Sequence, residues 1–272
     1  MTGLIPNLWQ YRELVAALAW KNVAVRYKQS YMGILWAVLK PVVLVIIFVI
    51  LRSIVGIDSG TIPYPVLTYC ALTIWIFFQE SASEGVNSVV GNTNLIRKIY
   101  FPREVFPLTS VVTKLVELCI GLVILAGLMA WYGMAPNWQM LWIPALVLYA
   151  ILAALTIAFV GAALNVYYRD IAAALPVLLS LMMYMSPVIY PLQLVRDKLL
   201  VQHAGGDWSQ ALYLIFTLNP LAGLIDAFQN VTLRGLPPDA EAILPGLVLT
   251  LGLLPFSYLY FKRAEAYFAD VI

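Results

Sequence analysis

Six stretches of this chain are apolar over about 20 residues, the length at which a helix crosses the hydrocarbon of a bilayer. They fall at 34–54, 64–82, 105–131, 141–164, 171–194 and 243–261. In lipid every backbone polar group must be satisfied within the protein, so runs of this length read as membrane-spanning helices. The expected fold is an all-α membrane protein with six spans. Composition agrees: 62% of the 272 residues are hydrophobic and 11% are charged, against about 25% charged in soluble domains. No repeat and no Gly/Ser linker divides the chain, so 1–272 is expected to be one membrane domain.

The other segments are read against these spans. Residues 7–30 place Leu8, Tyr11, Leu14, Val15 and Leu18 at helical spacing, with Arg12, Glu13, Lys21 and Asn22 on another face. This predicts an amphipathic helix in the membrane interface; a plain juxtamembrane tail is the alternative. The cations Arg12, Lys21, Arg26 and Lys28 interrupt any signal-peptide core there. Residues 212–225, between spans five and six, are apolar but short and hold Asn219-Pro220, which favours a re-entrant or interfacial hairpin over a span. Lys and Arg concentrate before span one, between spans two and three, at Arg169, and at Lys262 and Arg263. The positive-inside bias therefore places both termini and these loops in the cytoplasm.

The polar and basic stretch 91–107 stands out between two apolar runs. Asn92, Thr93 and Asn94 are suited to cap a short helix, Leu95, Ile96 and Ile99 give it an apolar edge, and Pro102 and Pro107 separate it from the next span. We expect a short helix across the membrane surface that transmits a push to its neighbours. An ordinary loop with orienting charges is the alternative.

Several chemistries are excluded. No Gly-Lys dipeptide occurs, so a phosphate-cradling P-loop is absent and the chain cannot hydrolyse ATP by that route. His203 is the one histidine, and with Cys70 and Cys119 inside apolar runs neither a metal cluster nor a disulfide framework is expected. A net charge of +2 offers no basic face for nucleic acid.

Charges within spans are costly and therefore informative. Lys40, Glu80, Glu84, Lys114 and Glu117 are of this kind; Glu80 or Glu84 is positioned to pair with Lys114, and snorkelling to the interface is the alternative. Arg26, Lys28, Arg97, Lys98 and Arg103 lie at the cytoplasmic headgroup level, where cations attract a diphosphate, although the positive-inside bias accounts for them equally. Among the aromatics of the outer halves, Trp75 and Phe78 share a helical face, whereas Phe77 turns away. With Tyr184 they are the candidate lining of a path, the alternative being an interfacial aromatic belt. Ala150, Ala154, Ala158 and Ala162 recur every fourth residue, which permits close helix approach. Pro176, Pro187 and Pro191 predict kinks in the fifth span.

Together these motifs resemble one family. Arg26-Tyr27-Lys28-Gln29-Ser30, Gly33-Ile34-Leu35-Trp36 and Lys40-Pro41 are similar to the approach to the first span in the membrane subunit of type-2 ABC exporters for lipid-linked polysaccharide, O-antigen type. Asn94-Leu95-Ile96-Arg97-Lys98 with Phe101-Pro102 resembles that family's coupling segment, and the stretch from Leu164 through Arg169 and Asp170 to Ile171 its second cytoplasmic loop. Ser186-Pro187-Val188-Ile189-Tyr190, Leu218-Asn219-Pro220 and Phe268-Ala269-Asp270 also match. The resemblance implies a homodimer in the bacterial inner membrane and two separate ATP-binding-cassette subunits that carry the ATP and Mg. It also implies a polyprenyl-diphosphate-linked glycan as cargo and short outer helices between spans five and six. Asn94 to Lys98, Arg169 and Asp170 would be the coupling residues. Teichoic acid and capsule exporters share much of the pattern. Exporters of drugs or small lipids, a membrane-embedded transferase and an ion-coupled secondary transporter are the other readings. No converging base and nucleophile supports the transferase, and the internal repeats common in secondary transporters are absent.

Overall fold

The computed structural model describes residues 11–28, 35–56, 62–98, 101–202 and 207–268. Gln29, Ser30, Gly33, Ile34, Ile99, His203, Ala269 and Asp270, which carried parts of the expectations above, lie outside them. Every regular element among the described residues is helical. In chain order these are α1 (Arg12–Lys28), α2 (Leu35–Val55), α3 (Tyr64–Gly91), α4 (Thr93–Lys98), α5 (Val105–Trp131) and α6 (Ile143–Tyr167). They are followed by α7 (Asp170–Tyr184), α8 (Leu192–Arg196), α9 (Asp207–Leu218), α10 (Pro220–Gln229) and α11 (Ala240–Glu265).

Among the described residues four helical segments are long and apolar enough to cross a membrane: Val38–Val55 in α2, α5, Trp138–Tyr167 leading through α6, and α11. The pair Trp208–Leu218 and Pro220–Arg234 would add a fifth if counted as one span, but it bends by 81° at Asn219-Pro220. That bend is the broken geometry expected for this segment. Asn219 caps the second arm through its Oδ1, which accepts from Leu221 N–H at 3.0 Å, and Pro220 begins it.

Helix α3 is the centre of the bundle. It packs against α2, α5, α6, α7 and α10. From Tyr64 to Phe78 nearly every side chain is buried, whichever way it points, the signature of a helix enclosed on all sides. Its second half carries Gln79, Glu80, Ser83, Glu84 and Asn87, of which the first four are half-buried and Asn87 is exposed.

The α3–α6 contact rests on small residues. A methyl added to Gly85 would stand 2.5 Å from Ala158 Cβ, and one added to Gly161 would stand 2.3 Å from Val86 Cγ2. Ala150, Ala154, Ala158 and Ala162 are fully buried, as their spacing predicted. A second close approach joins α10 to α11, where a methyl on Gly223 would meet the Ala242 carbonyl oxygen at 2.1 Å and one on Gly246 the Pro220 Cα at 2.7 Å.

Two expected boundaries differ. The segment 171–194 is not one helix: α7 has 15 residues and ends at Tyr184, a length of about 22 Å against about 30 Å of hydrocarbon. Turns follow to Tyr190, with Ser186, Val188 and Ile189 buried. Pro187 and Pro191 break the ladder, and the turn finds other partners. Asn219 Nδ2 donates to the Met185 carbonyl at 3.1 Å and to Ser186 Oγ at 2.9 Å, and the Tyr64 hydroxyl donates to the Ile189 carbonyl at 2.7 Å. Pro107 does not precede α5 but sits in its first turn, where a missing N–H costs nothing.

Because the clash at Gly223 is with backbone, Gly223→Ala is expected to lower stability by about 1–3 kcal/mol. Gly127→Ala, where a methyl meets nothing within 4 Å, should lower it not at all. Thermal unfolding of the detergent-solubilised variants checks the contrast.

Candidate functional site

The charged residues singled out within the spans converge. Lys114 of α5 is 1% exposed. Its ammonium donates to Glu80 Oε2 at 2.9 Å and Glu117 Oε1 at 3.0 Å, and lies 3.0 Å from Glu84 Oε1. The spacing of the sequence produces this directly. Glu80 and Glu84 share one face of α3, and Lys114 and Glu117 are one turn apart on α5. A buried ammonium without partners would be prohibitive, and its three protons match three carboxylates.

Two further cations close the network from outside. Lys40 of α2 pairs with Glu80, and Arg26 of α1 bridges Glu84 and Glu117. Three carboxylates thus meet three cations drawn from α1, α2 and α5. Burial disfavours the Arg26 charge, but hydrogen bonds and attraction from Glu84 and Glu117 outweigh it and hold the guanidinium above its ordinary pKa. The engagement of Arg26 was not legible in sequence, since its partners lie 58 and 91 residues away. Lys40 is half-exposed and paired at once, so its snorkelling reading and its pairing coexist.

The bundle end that carries α4 holds a second network, which sequence reasoning missed. Glu104, 1% exposed, pairs with Lys262, which also pairs with Glu265 at 2.7 Å. Glu265 Oε1 accepts the Arg103 backbone N–H at 2.8 Å, and the Arg103 guanidinium reaches the Glu265 carbonyl and lies 5.8 Å from the Phe268 ring. The end of α11 is thereby tied to the loop between α4 and α5. No local spacing marks a pairing between residues more than 150 apart. Asn165, 2% exposed, ties α6 to α3 at the same end by donating to the Val86 carbonyl at 3.2 Å.

Of the surface residues proposed for coupling, Asn94, Arg97 and Lys98 on α4 are exposed, as are Arg169 and Asp170 at the start of α7. Leu95 is half-buried, and Ile96 is buried as the apolar edge required. The side chains of Asn92 and Thr93 do not cap α4. They donate back to the Ser88 and Val90 carbonyls, finishing α3. Lys28 is exposed and Arg103 half-buried.

The aromatics separate differently. Trp75 and Phe78 are 1% and 0% exposed and lie against each other, with ring centroids 6.0 Å apart. Phe77 is buried as well, whereas Tyr184 is 60% exposed. Helical phase does not distinguish the first three because α3 has neighbours on every side.

A third polar group, at the opposite end, escaped the sequence reading although its spacing of four and eight residues was visible. Asp226 accepts from Asn230 Nδ2 at 2.8 Å, and Arg234 donates to Asn230 Oδ1 at 2.6 Å. All of it stabilises the bent pair. Among the described residues no cluster of His, Cys, Asp and Glu has the arrangement of a metal site.

Since Lys114 is the one cation inside the first network, Lys114→Met should leave three carboxylates facing two more exposed cations and cost about 3 kcal/mol, the lower end for a broken buried pair. Glu117→Gln should cost less. Detergent unfolding midpoints, followed by gel filtration after heating, rank the two.

Comparison with known proteins places the chain. The ABC-2 type transporter family profile matches residues 13–232. A Myxococcus xanthus protein named O-antigen export system permease protein RfbA is 29% identical over the full length of both chains. A Klebsiella pneumoniae protein of the same name is 30% identical, covering 95% of this chain and 96% of its own. A profile match over most of the chain, on a bundle with several membrane-crossing helices, establishes that this multi-pass membrane protein belongs to the ABC-2 type transporter family.

Proposed function

We propose that this chain is the permease subunit of an ATP-driven exporter that moves lipid-linked O-antigen across the bacterial inner membrane. The observation that carries the reading is similarity over essentially the whole chain to proteins named O-antigen export permeases. The chain is a transport subunit, and ATP and Mg belong to two ATP-binding-cassette partners. The missing P-loop supports that division of labour.

In this reading the chain crosses the membrane six times. The crossings are α2, α3, α5, α6, α7 with the turn that follows it, and α11. The bent α9–α10 pair is re-entrant from the outer side, α1 lies in the inner interface, and both termini are cytoplasmic. The exposed apolar surface of α7, with Val177, Leu178 and Leu181 each more than half exposed, suits a second copy of the chain or lipid. A path for the glycan would form between two copies. Tyr184 is the aromatic candidate that the fold leaves facing outward. Trp75 and Phe78, buried in the protomer, would act through packing. Of the cations suited to attract the diphosphate, Arg26 and Arg103 hold partners within the protein, and Lys28 is exposed.

The coupling elements in this scheme are α4 and the start of α7, which present Asn94, Arg97, Lys98, Arg169 and Asp170 from one end of the bundle. Reversing Arg97 and Lys98 to Glu should leave the protein inserted while export falls at least tenfold and stimulation of the partner ATPase is lost. Normal export by that variant would reduce these residues to orienting charges.

The path assignment has its own test. Trp75→Ala and Phe78→Ala should each lower stability as a core truncation does, by about 3–5 kcal/mol, and with it the unfolding midpoint. Tyr184→Ala should leave the midpoint unchanged and reduce glycan export relative to ATP turnover. Export measured in cells, paired with unfolding of the purified complexes, separates packing from lining.

A further inference from the structure

The six-charge network joins helices of unequal packing. Helices α3 and α5 are held by an extensive shared core, whereas the apolar window of α2 is only 11% buried. On α2, Ile46, Ile47, Ile50 and Ile54 are all at least half exposed. In lipid such a surface gains little by leaving the bilayer for another apolar helix. At the N-terminal end of α2 Leu35 and Trp36 are also more than half exposed, so apolar packing holds this helix only loosely. Helix α1 turns Val15 and Ala19 inward and leaves Trp20 and Val25 exposed, so its C-terminal turn is also thinly packed.

Beside Lys40 the packing is weaker still. A cavity of about 30 Å³ lies between α3 and α5 where Pro41 of α2 meets them, lined among others by Pro41, Tyr69, Thr73, Lys114 and Glu117. That is room for a water molecule, and the buried Tyr69 hydroxyl has no hydrogen-bond partner among the described residues. Pro41 also removes a backbone hydrogen bond within α2 next to Lys40. The second turn of α2 thus adjoins a small cavity at Pro41, next to the lysine that pairs directly with Glu80 of α3.

We propose that Glu80, Glu84 and Glu117, assembled around Lys114, form a docking surface for the cations of α1 and α2. Arg26 and Lys40 are the releasable clips of that surface, and Lys114 is its fixed part. The charge balance sets the behaviour. With both clips engaged the network is neutral. With both withdrawn, three carboxylates face one ammonium, an excess of two negative charges in a poorly hydrated place. Undocking is therefore opposed by electrostatics while apolar contact scarcely opposes it for α2 and for the C-terminal turn of α1, whose first turns stay anchored through Val15 and Ala19, and both are driven back to one register. Arg26 and Lys40 are positioning residues in this scheme. Its consequence for transport, that pushing α1 frees the α2 side of the bundle, rests on the permease reading. The docking itself does not.

The test uses the native exposed Cys119 on α5 as one spin-label site, Cys70 being buried. The second site is Lys21→Cys on α1 or Ile46→Cys on α2, both exposed. Distances are measured by pulsed electron resonance in the nucleotide-free full complex in nanodiscs, with labelled chain diluted into unlabelled chain. Arg26→Gln should broaden or lengthen the α1–α5 distribution, and Arg26→Lys should restore it. Lys40→Gln should do the same to the α2–α5 distribution, while Lys262→Gln, in the other network, should change neither. If either clip variant leaves its own distribution as in the parent, the proposal is wrong. Should Arg26→Gln not fold, the half-exposed Lys40 carries the test alone. No substrate is needed, so failure here is distinct from failure of the O-antigen reading.

Discussion

A lysine buried among helices must be met by opposite charge, and much of this bundle is arranged to do so. Lys114 draws Glu80 and Glu84 of α3 and Glu117 of its own helix within 3.0 Å. Three carboxylates around one ammonium then require two more cations, which only helices outside the α3–α5 pair supply. The requirement propagates outward: the position of α1 follows from Arg26, and that of the start of α2 from Lys40. A single unfavourable burial thereby organises four helices.

Elsewhere the bundle relies on the absence of side chains. Gly85, Gly161, Gly223 and Gly246 stand where an added methyl would overlap a neighbour. Such contacts are short because dispersion, rather than any hydrophobic force, drives association in lipid. The α3–α6 and α10–α11 contacts are of this kind and have no charge at their centres. The protein thus holds a closely packed part joined by small residues and a more loosely packed part joined by ions. The helix α4 follows α3 directly and precedes Arg103 and Glu104, which are tied to α11.

Much of this was legible in the sequence where the signal is local. Apolar run length located α2, α5, α6 and α11, four-residue spacing located the small face of α6, and Asn219-Pro220 located the bend. The Glu80, Glu84, Lys114 and Glu117 positions were informative because charge in an apolar run has few solutions. What escaped notice was of two kinds. Pairs such as Arg26 with Glu84, or Lys262 with Glu104, join residues that only the fold brings together. The lining expected of Trp75 and Phe78 rested on helical phase, which carries little information over Tyr64 to Phe78 of α3, where nearly every side chain is buried. Likewise proline content marked the fifth span as irregular, but where α7 stops depends on Asn219 and Tyr64 reaching the freed carbonyls from distant segments.

An ionic attachment for α1 and α2 has a physical logic that an apolar one would lack. Replacing a buried ion network by well-packed apolar side chains is often neutral or stabilising, so stability alone does not account for six charges at this depth. In a membrane, however, an apolar helix surface is nearly as well satisfied by lipid as by protein, so apolar contact holds a helix in place weakly and tolerates slippage. An ion pair has a partner at one position only. Displacing Lys40 from Glu80 by one helical turn, about 5.4 Å, breaks it outright. The network thus gives two thinly packed helices a defined resting register at low total contact area. Those are the properties that a helix displaced and returned in each cycle of an exporter would require.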